Sequence, residues 1–147
     1  AIEMADRAVT LNPNLFAAWN SRGWVYRSAG LPQDALTSYE RAIRISPVDP
    51  LLHRPLTGMA LAFIELGRFD ETIVAAKRAM RQNPSHSVTY RCLACAYAQL
   101  GRDAEAREAA ARLLELDPGF TISVGIARGG SSNAKYLEGL RKAGLPE

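Results

Sequence analysis

Two cysteines stand three residues apart in the phrase CLAC, Cys92 and Cys95, and the chain also holds two histidines, His53 and His86. Two thiolates at that spacing could be half of a tetrahedral zinc site or the whole of a dithiol redox pair. Zinc needs four ligands, and no second ligand pair occurs in the sequence, only the two separate histidines. A redox dithiol opens a helix behind a strand, and no strand pattern precedes Cys92. Both thiols therefore read as small apolar helix residues, with no metal and no cofactor expected. The stretch GIARGGSS, 125 to 132, spaces Gly125 and Gly130 like a phosphate-binding loop. Ser131 stands where such a loop needs lysine, so the stretch reads as a break between helices. The two histidines sit near helix starts far apart along the chain, and the carboxylates fall mostly on polar faces at helical spacing. No catalytic set assembles, and the chain is expected not to be an enzyme.

Composition narrows the partners. The 147 residues are 48% hydrophobic and 22% charged, which suits a globular domain. Eighteen Lys and Arg against 15 Asp and Glu leave a net charge of +3, too mild for nucleic acid without a basic block. The basic residues Arg41, Arg44, Lys77, Arg78 and Arg81 lie on helices with no interleaved aromatics, so neither nucleic acid nor membrane is an expected partner. No apolar run is long enough for a membrane span, and the first residues lack a basic-then-apolar signal pattern. Cysteines placed inside a helical pattern suggest a reducing, cytoplasmic setting.

A repeat organises the chain. RAVTLNP at 7 to 13, RAIRISP at 41 to 47, RAMRQNP at 78 to 84 and RLLELDP at 112 to 118 end at prolines spaced 34, 37 and 34 apart. Gly30, Gly67 and Gly101 each precede the closing proline by 17 residues, where glycine can end a helix in a left-handed turn. Acidic residues follow each glycine and suit the start of a second helix. The helices so marked run over 16–29, 32–45, 53–66, 69–82, 87–100 and 103–116. In SPVDPLLHRPL, Pro55 would fall inside a helix begun at Pro50. The helix there either starts late, near Arg54, or begins at Pro50 and kinks; the kinked start is the expectation. A period near 34 built from two helices predicts a solenoid in which each unit buries its apolar face on its neighbours.

These marks resemble the tetratricopeptide repeat. The first full unit supplies Trp19, Gly23, Tyr26, Ala35, Tyr39, Ala42 and Pro47, with Arg22 where leucine is usual. The third supplies Tyr90, Leu93, Ala94, Tyr97, Ala106, Ala110, Leu113 and Pro118, and the second, looser, Leu56, Met59, Ala60, Phe63, Thr72, Ala76, Ala79 and Pro84. The resemblance implies an all-α, right-handed solenoid of antiparallel helix pairs over residues 1–118. Residues 1–13 are a closing half-repeat, followed by full units at 16–49, 50–86 and 87–118. Residues 119–147 fit a degenerate C-terminal cap, with Ser132 capping a last helix that covers the open end.

The aromatic cluster WNSRGWVY, 19 to 26, divides by helical direction. Trp19, Gly23 and Tyr26 share the packing face, whereas Trp24 points about 140° away. In the resembled family that direction faces a concave groove that holds peptides. The same register places Asn20, Trp24 and Arg27, then Arg54, Thr57, Leu61 and Glu65, then Arg91, Cys95 and Gln99 along the groove. Three arginines against one glutamate favour an acidic or C-terminal peptide. Asn20 and Trp24 stand where chaperone-tail binders carry Lys and Asn, which speaks against that ligand. The alternative for Trp24 is simple stacking on Arg27 or a neighbouring repeat.

The implied function is non-catalytic protein interaction through the groove. The ending YLEGLRKAGLPE after LLELDPGFTIS also resembles the carboxyl end of bacterial regulators that carry such repeats behind a class III adenylate or guanylate cyclase or a winged-helix domain. That likeness implies the C-terminal regulatory part of a larger signalling protein. The alternative is a self-association scaffold, a homodimer joined through helix 1–12 or the cap.

Overall fold

The computed structural model describes residues 1–147 and is all helical. α1 (Ile2–Leu11) leads, followed by the pairs α2 (Phe16–Ser28) with α3 (Pro32–Ile45), α4 (His53–Glu65) with α5 (Phe69–Gln82), and α6 (Ser87–Gln99) with α7 (Asp103–Leu116). A short α8 (Ile122–Ala127) and α9 (Ala134–Lys142) complete the chain. Each pair packs on the next, which gives the right-handed stack that the repeat predicts.

Turn chemistry sets these boundaries. Gly30, Gly67 and Gly101 adopt φ of +79°, +74° and +74°. The residue after each donates its N–H back to the first helix: Leu31 to Tyr26, Arg68 to Phe63 and Arg102 to Tyr97, at 2.9, 2.8 and 2.8 Å. This closes the helix end while reversing the chain. Asp34, Asp70 and Asp103 then sit in the first turns of α3, α5 and α7, against the positive end of the helix dipole. Between repeats, Trp19 Nε1 donates to the Pro13 carbonyl at 2.8 Å and Tyr90 Oη to the Pro84 carbonyl at 2.7 Å. In both helices the aromatic at the fourth position thereby fastens the loop six residues before it.

Packing depends on small residues facing large ones. The ring of Tyr39, 2% exposed, lies against Gly23 of α2 on one side and Gly58 of α4 on the other. A Cβ at Gly23 would stand 2.5 Å from that ring, and one at Gly58 would also collide with it. Arg22, the departure from leucine, links three helices: it bonds to Asp6 of α1 at 2.8 Å, donates to the Ser38 hydroxyl of α3 and stacks on Tyr26.

Three local expectations need correction. α4 does not begin at Pro50 and kink. Asp49 accepts the Leu51 N–H at 2.8 Å in a turn, and the helix starts at His53. Pro55 thus lies in the first turn, where a missing N–H costs no helical bond. The cap of α9 is Asn133, whose side chain accepts from the Lys135 N–H at 2.9 Å, and not Ser132. Nor does the last helix cover the open end of the solenoid at α7, because α9 turns back onto α6 and α4.

Gly58→Ala is expected to lower the urea-unfolding free energy by about 1–3 kcal/mol, since the new methyl must displace a buried ring. In a Tyr39→Leu background the same change should cost clearly less.

Candidate concave binding groove

The first helices α2, α4 and α6 line the concave face, and their register positions have unequal surroundings. Between α2 and α4 a cavity of about 200 Å³ is lined by Asn20, Trp24, Arg27, Arg54, Thr57 and Leu61, over Tyr39 and Gly58. Trp24 is 55% exposed, and no arginine stacks on it. Arg54 is exposed and has no ion-pair partner. The Thr57 hydroxyl is spent on its own helix, donating to the His53 and Arg54 carbonyls at 3.0 Å each.

Arg27 crosses from α2 to pair with Glu65 of α4 at 3.0 Å, both side chains being 9% exposed. Burial pushes the Glu65 carboxyl up, and the Arg27 guanidinium opposes that shift. A charge pair so placed neutralises itself and ties the two helices together. Arg91 is likewise occupied, with Asp117 at 3.9 Å and its guanidinium over the Phe120 ring. Of the three groove arginines, Arg54 alone is left to face a ligand.

The α6 end of the groove is filled by the chain itself. Cys95 faces the groove as its register requires, yet is fully buried because Gly139 of α9 sits directly on its sulfur. Gln99 donates to the Lys135 carbonyl at 2.8 Å and accepts from Lys142 Nζ at 3.0 Å. Tyr136 and Leu140 are buried alongside. Cys95 and Gln99 are therefore a seat for α9, not part of an open groove. The sequence did carry a signal for this contact: Gly139 inside YLEGLRK is a helix position that permits close backbone approach. The Cys92 thiol is also free and buried, and burial pushes its pKa up to about 12. Burial raises that of Cys95 as well.

The two histidines meet each other rather than the cysteines. Their rings touch edge to face with centroids 4.8 Å apart where α4 and α6 begin, and His53 Nδ1 is buried without a partner. Burial chiefly, then the Arg54 charge, holds His53 below its ordinary 6.5. Burial, His53, Arg91 and Arg54 do the same for His86. The folded chain thus prefers neutral imidazoles, and this contribution to stability is complete above the unfolded value. As the pH falls the unfolded chain takes up protons first, and the contribution is lost through the lowered folded values. The melting temperature should fall between about pH 7.5 and 5.5, and His86→Gln should flatten that slope.

Fold and site together define a helical-repeat protein whose one groove is half open and half occupied by its own C-terminal helix. The tetratricopeptide-repeat family description matches residues 1–50 and again residues 88–120, between them more than half of the chain, and the chain belongs to that family. It is 27% identical over 100 residues to small glutamine-rich tetratricopeptide repeat-containing protein 2 of Mycosarcoma maydis, and the match spans 68% of this chain but only 28% of that protein. Among solved structures it is similar in fold to MamA, with a TM-score of 0.73 and 23% identity over 97% of this chain and 84% of that one. The first TPR of Spaghetti (RPAP3), bound to the HSP90 peptide SRMEEVD, gives a TM-score of 0.67 at 23% identity, covering 88% and 90%. YrrB, described as a TPR protein with an unusual peptide-binding site, gives 0.65 at 21% identity, covering 97% and 74%. No helix of this chain is long and apolar enough to cross a membrane.

Proposed function

We propose that this chain is a non-catalytic protein-interaction module that holds a peptide or protein partner in the open α2–α4 half of its groove. The observation that carries the reading is Trp24, a large aromatic left 55% exposed beside the free guanidinium of Arg54 at the mouth of a cavity. Tryptophan and arginine are enriched among the residues that carry binding energy in protein interfaces, and here the two meet at one cavity. Family membership supports it, as do the peptide complex of one fold relative and the described peptide site of another. The free Arg54, with Asn20 beside it, favours an acidic segment or a C-terminal carboxylate. The tail likeness further suggests the regulatory end of a bacterial signalling protein. That part of the reading requires a parent sequence with more repeats, then a cyclase or winged-helix domain, before Ala1.

A second reading, self-association, is favoured by α1, where Met4 is 78% and Leu11 67% exposed. Light scattering across concentration tests it, and a monomer throughout would remove it.

For the groove, fluorescence anisotropy with labelled acidic peptides, each with a free or an amidated carboxyl end, is the direct assay. Trp24→Ala and Arg54→Glu, with helicity unchanged, should each weaken binding by about tenfold or more. Equal affinity for the wild type and both variants would show that the peptide lies elsewhere.

A further inference from the structure

A second recess lies on the opposite, convex side, over α6 and between α5 and α7. Tyr90, Leu93 and Tyr97 follow one another along one face of α6 and form its floor together with Met80 of α5. The wall is the outer ridge of α7, with Glu105, Glu108 and Glu115 against the single Arg112, around a volume of about 480 Å³. Glu105 is paired with Arg102 at 2.7 Å and Glu115 with Arg112 at 2.9 Å, whereas Glu108 has no partner. An apolar trough is thus rimmed by three carboxylates and two arginines, which leaves one net negative charge, at the unpaired Glu108, in a chain whose net charge is +3.

Glu105 has its counterpart one repeat earlier in Glu71, likewise paired with an arginine, Arg68, whereas the acidity of Glu108 and Glu115 belongs to the slot and not to the convex ridge in general. One repeat earlier, in the register that matches Gly67 to Gly101, the places of Glu108, Ala111 and Glu115 are held by Val74, Lys77 and Arg81. The floor also already accepts cations: Arg102 lies over the Tyr97 ring at 4.8 Å and Arg112 over Tyr90 at 5.9 Å. An acidic or wholly apolar occupant would desolvate the rim with nothing to offset the cost.

We propose that this slot docks a basic amphipathic segment of a partner protein, with its apolar side chains on the Tyr90, Leu93, Tyr97 and Met80 floor and its Lys or Arg side chains against Glu108 and its neighbours. The site is separate from the groove and does not rest on the groove reading.

The test uses the intact chain and anisotropy of a labelled Leu/Lys amphipathic peptide of about 14 residues, with a Leu/Glu peptide of the same pattern as counterpart. The Leu/Lys peptide should bind, more weakly as salt rises, and the Leu/Glu peptide should not. Glu108→Arg with Glu115→Arg should weaken the Leu/Lys peptide by about tenfold or more and admit the Leu/Glu peptide. The milder Glu108→Val, which copies the residue one repeat earlier, should weaken it in part and guards against a misfolded double variant. Trp24→Ala with Arg54→Glu in the groove should leave this binding unchanged. The proposal is overturned if the Leu/Lys peptide fails to bind, if the rim variants bind it as the wild type does, or if the groove variant loses it.

Discussion

The spacing of α2 from α4 depends on one contact, the ring of Tyr39 held between the backbones of Gly23 and Gly58. A large side chain from a second helix can reach between two first helices only where both present no side chain at the crossing. That contact fixes how far α2 stands from α4, and the cavity beneath Trp24 has Tyr39 and Gly58 in its floor. The groove is therefore a by-product of repeat packing. Its width follows from core side chains that no partner needs to touch.

The same device, used once more, changes what the groove can be. Gly139 lets α9 settle on Cys95, and Tyr136, Leu140, Ala143 and Leu145 become buried as it does so. The tail is stitched down beyond α9 as well, with the Ile122 N–H donating to the Pro146 carbonyl at 2.8 Å. Removing so much apolar surface from water makes α9 part of the core. Arg27 and Glu65 stand at the boundary between the filled and the open half, and their mutual neutralisation removes charge from the place where the two halves meet.

The fold was legible because its signals are local and recur in phase. Glycine at the end of each first helix, acid in the next turn and proline at the close bracket the helices of the three pairs to within a residue, except for the expected early start of α4 at Pro50. The start of α4 was missed because Asp49 and Pro50 suit a helix start and also a turn, and the hydrogen bond of Asp49 to Leu51 decides for the turn. The groove positions were readable as a register but not as an environment. Nothing local announces that Arg91 will find Asp117, or that Cys95 will lie beneath a helix that it meets 40 residues further on, at Lys135. Such contacts depend on where the tail returns, and a degenerate segment carries no periodicity from which to read a return. The charge reversal between the α5 and α7 ridges, by contrast, is visible once the repeats are aligned.

The most direct measurement is thiol labelling of the folded, intact chain, with mass spectrometry to tell Cys92 from Cys95. With α9 seated in the groove, both thiols should label far more slowly than a free thiol, and Cys95 should gain no advantage over Cys92. Rapid labelling of Cys95 while Cys92 stays protected would mean that the groove is open along its whole length, and would contradict this account.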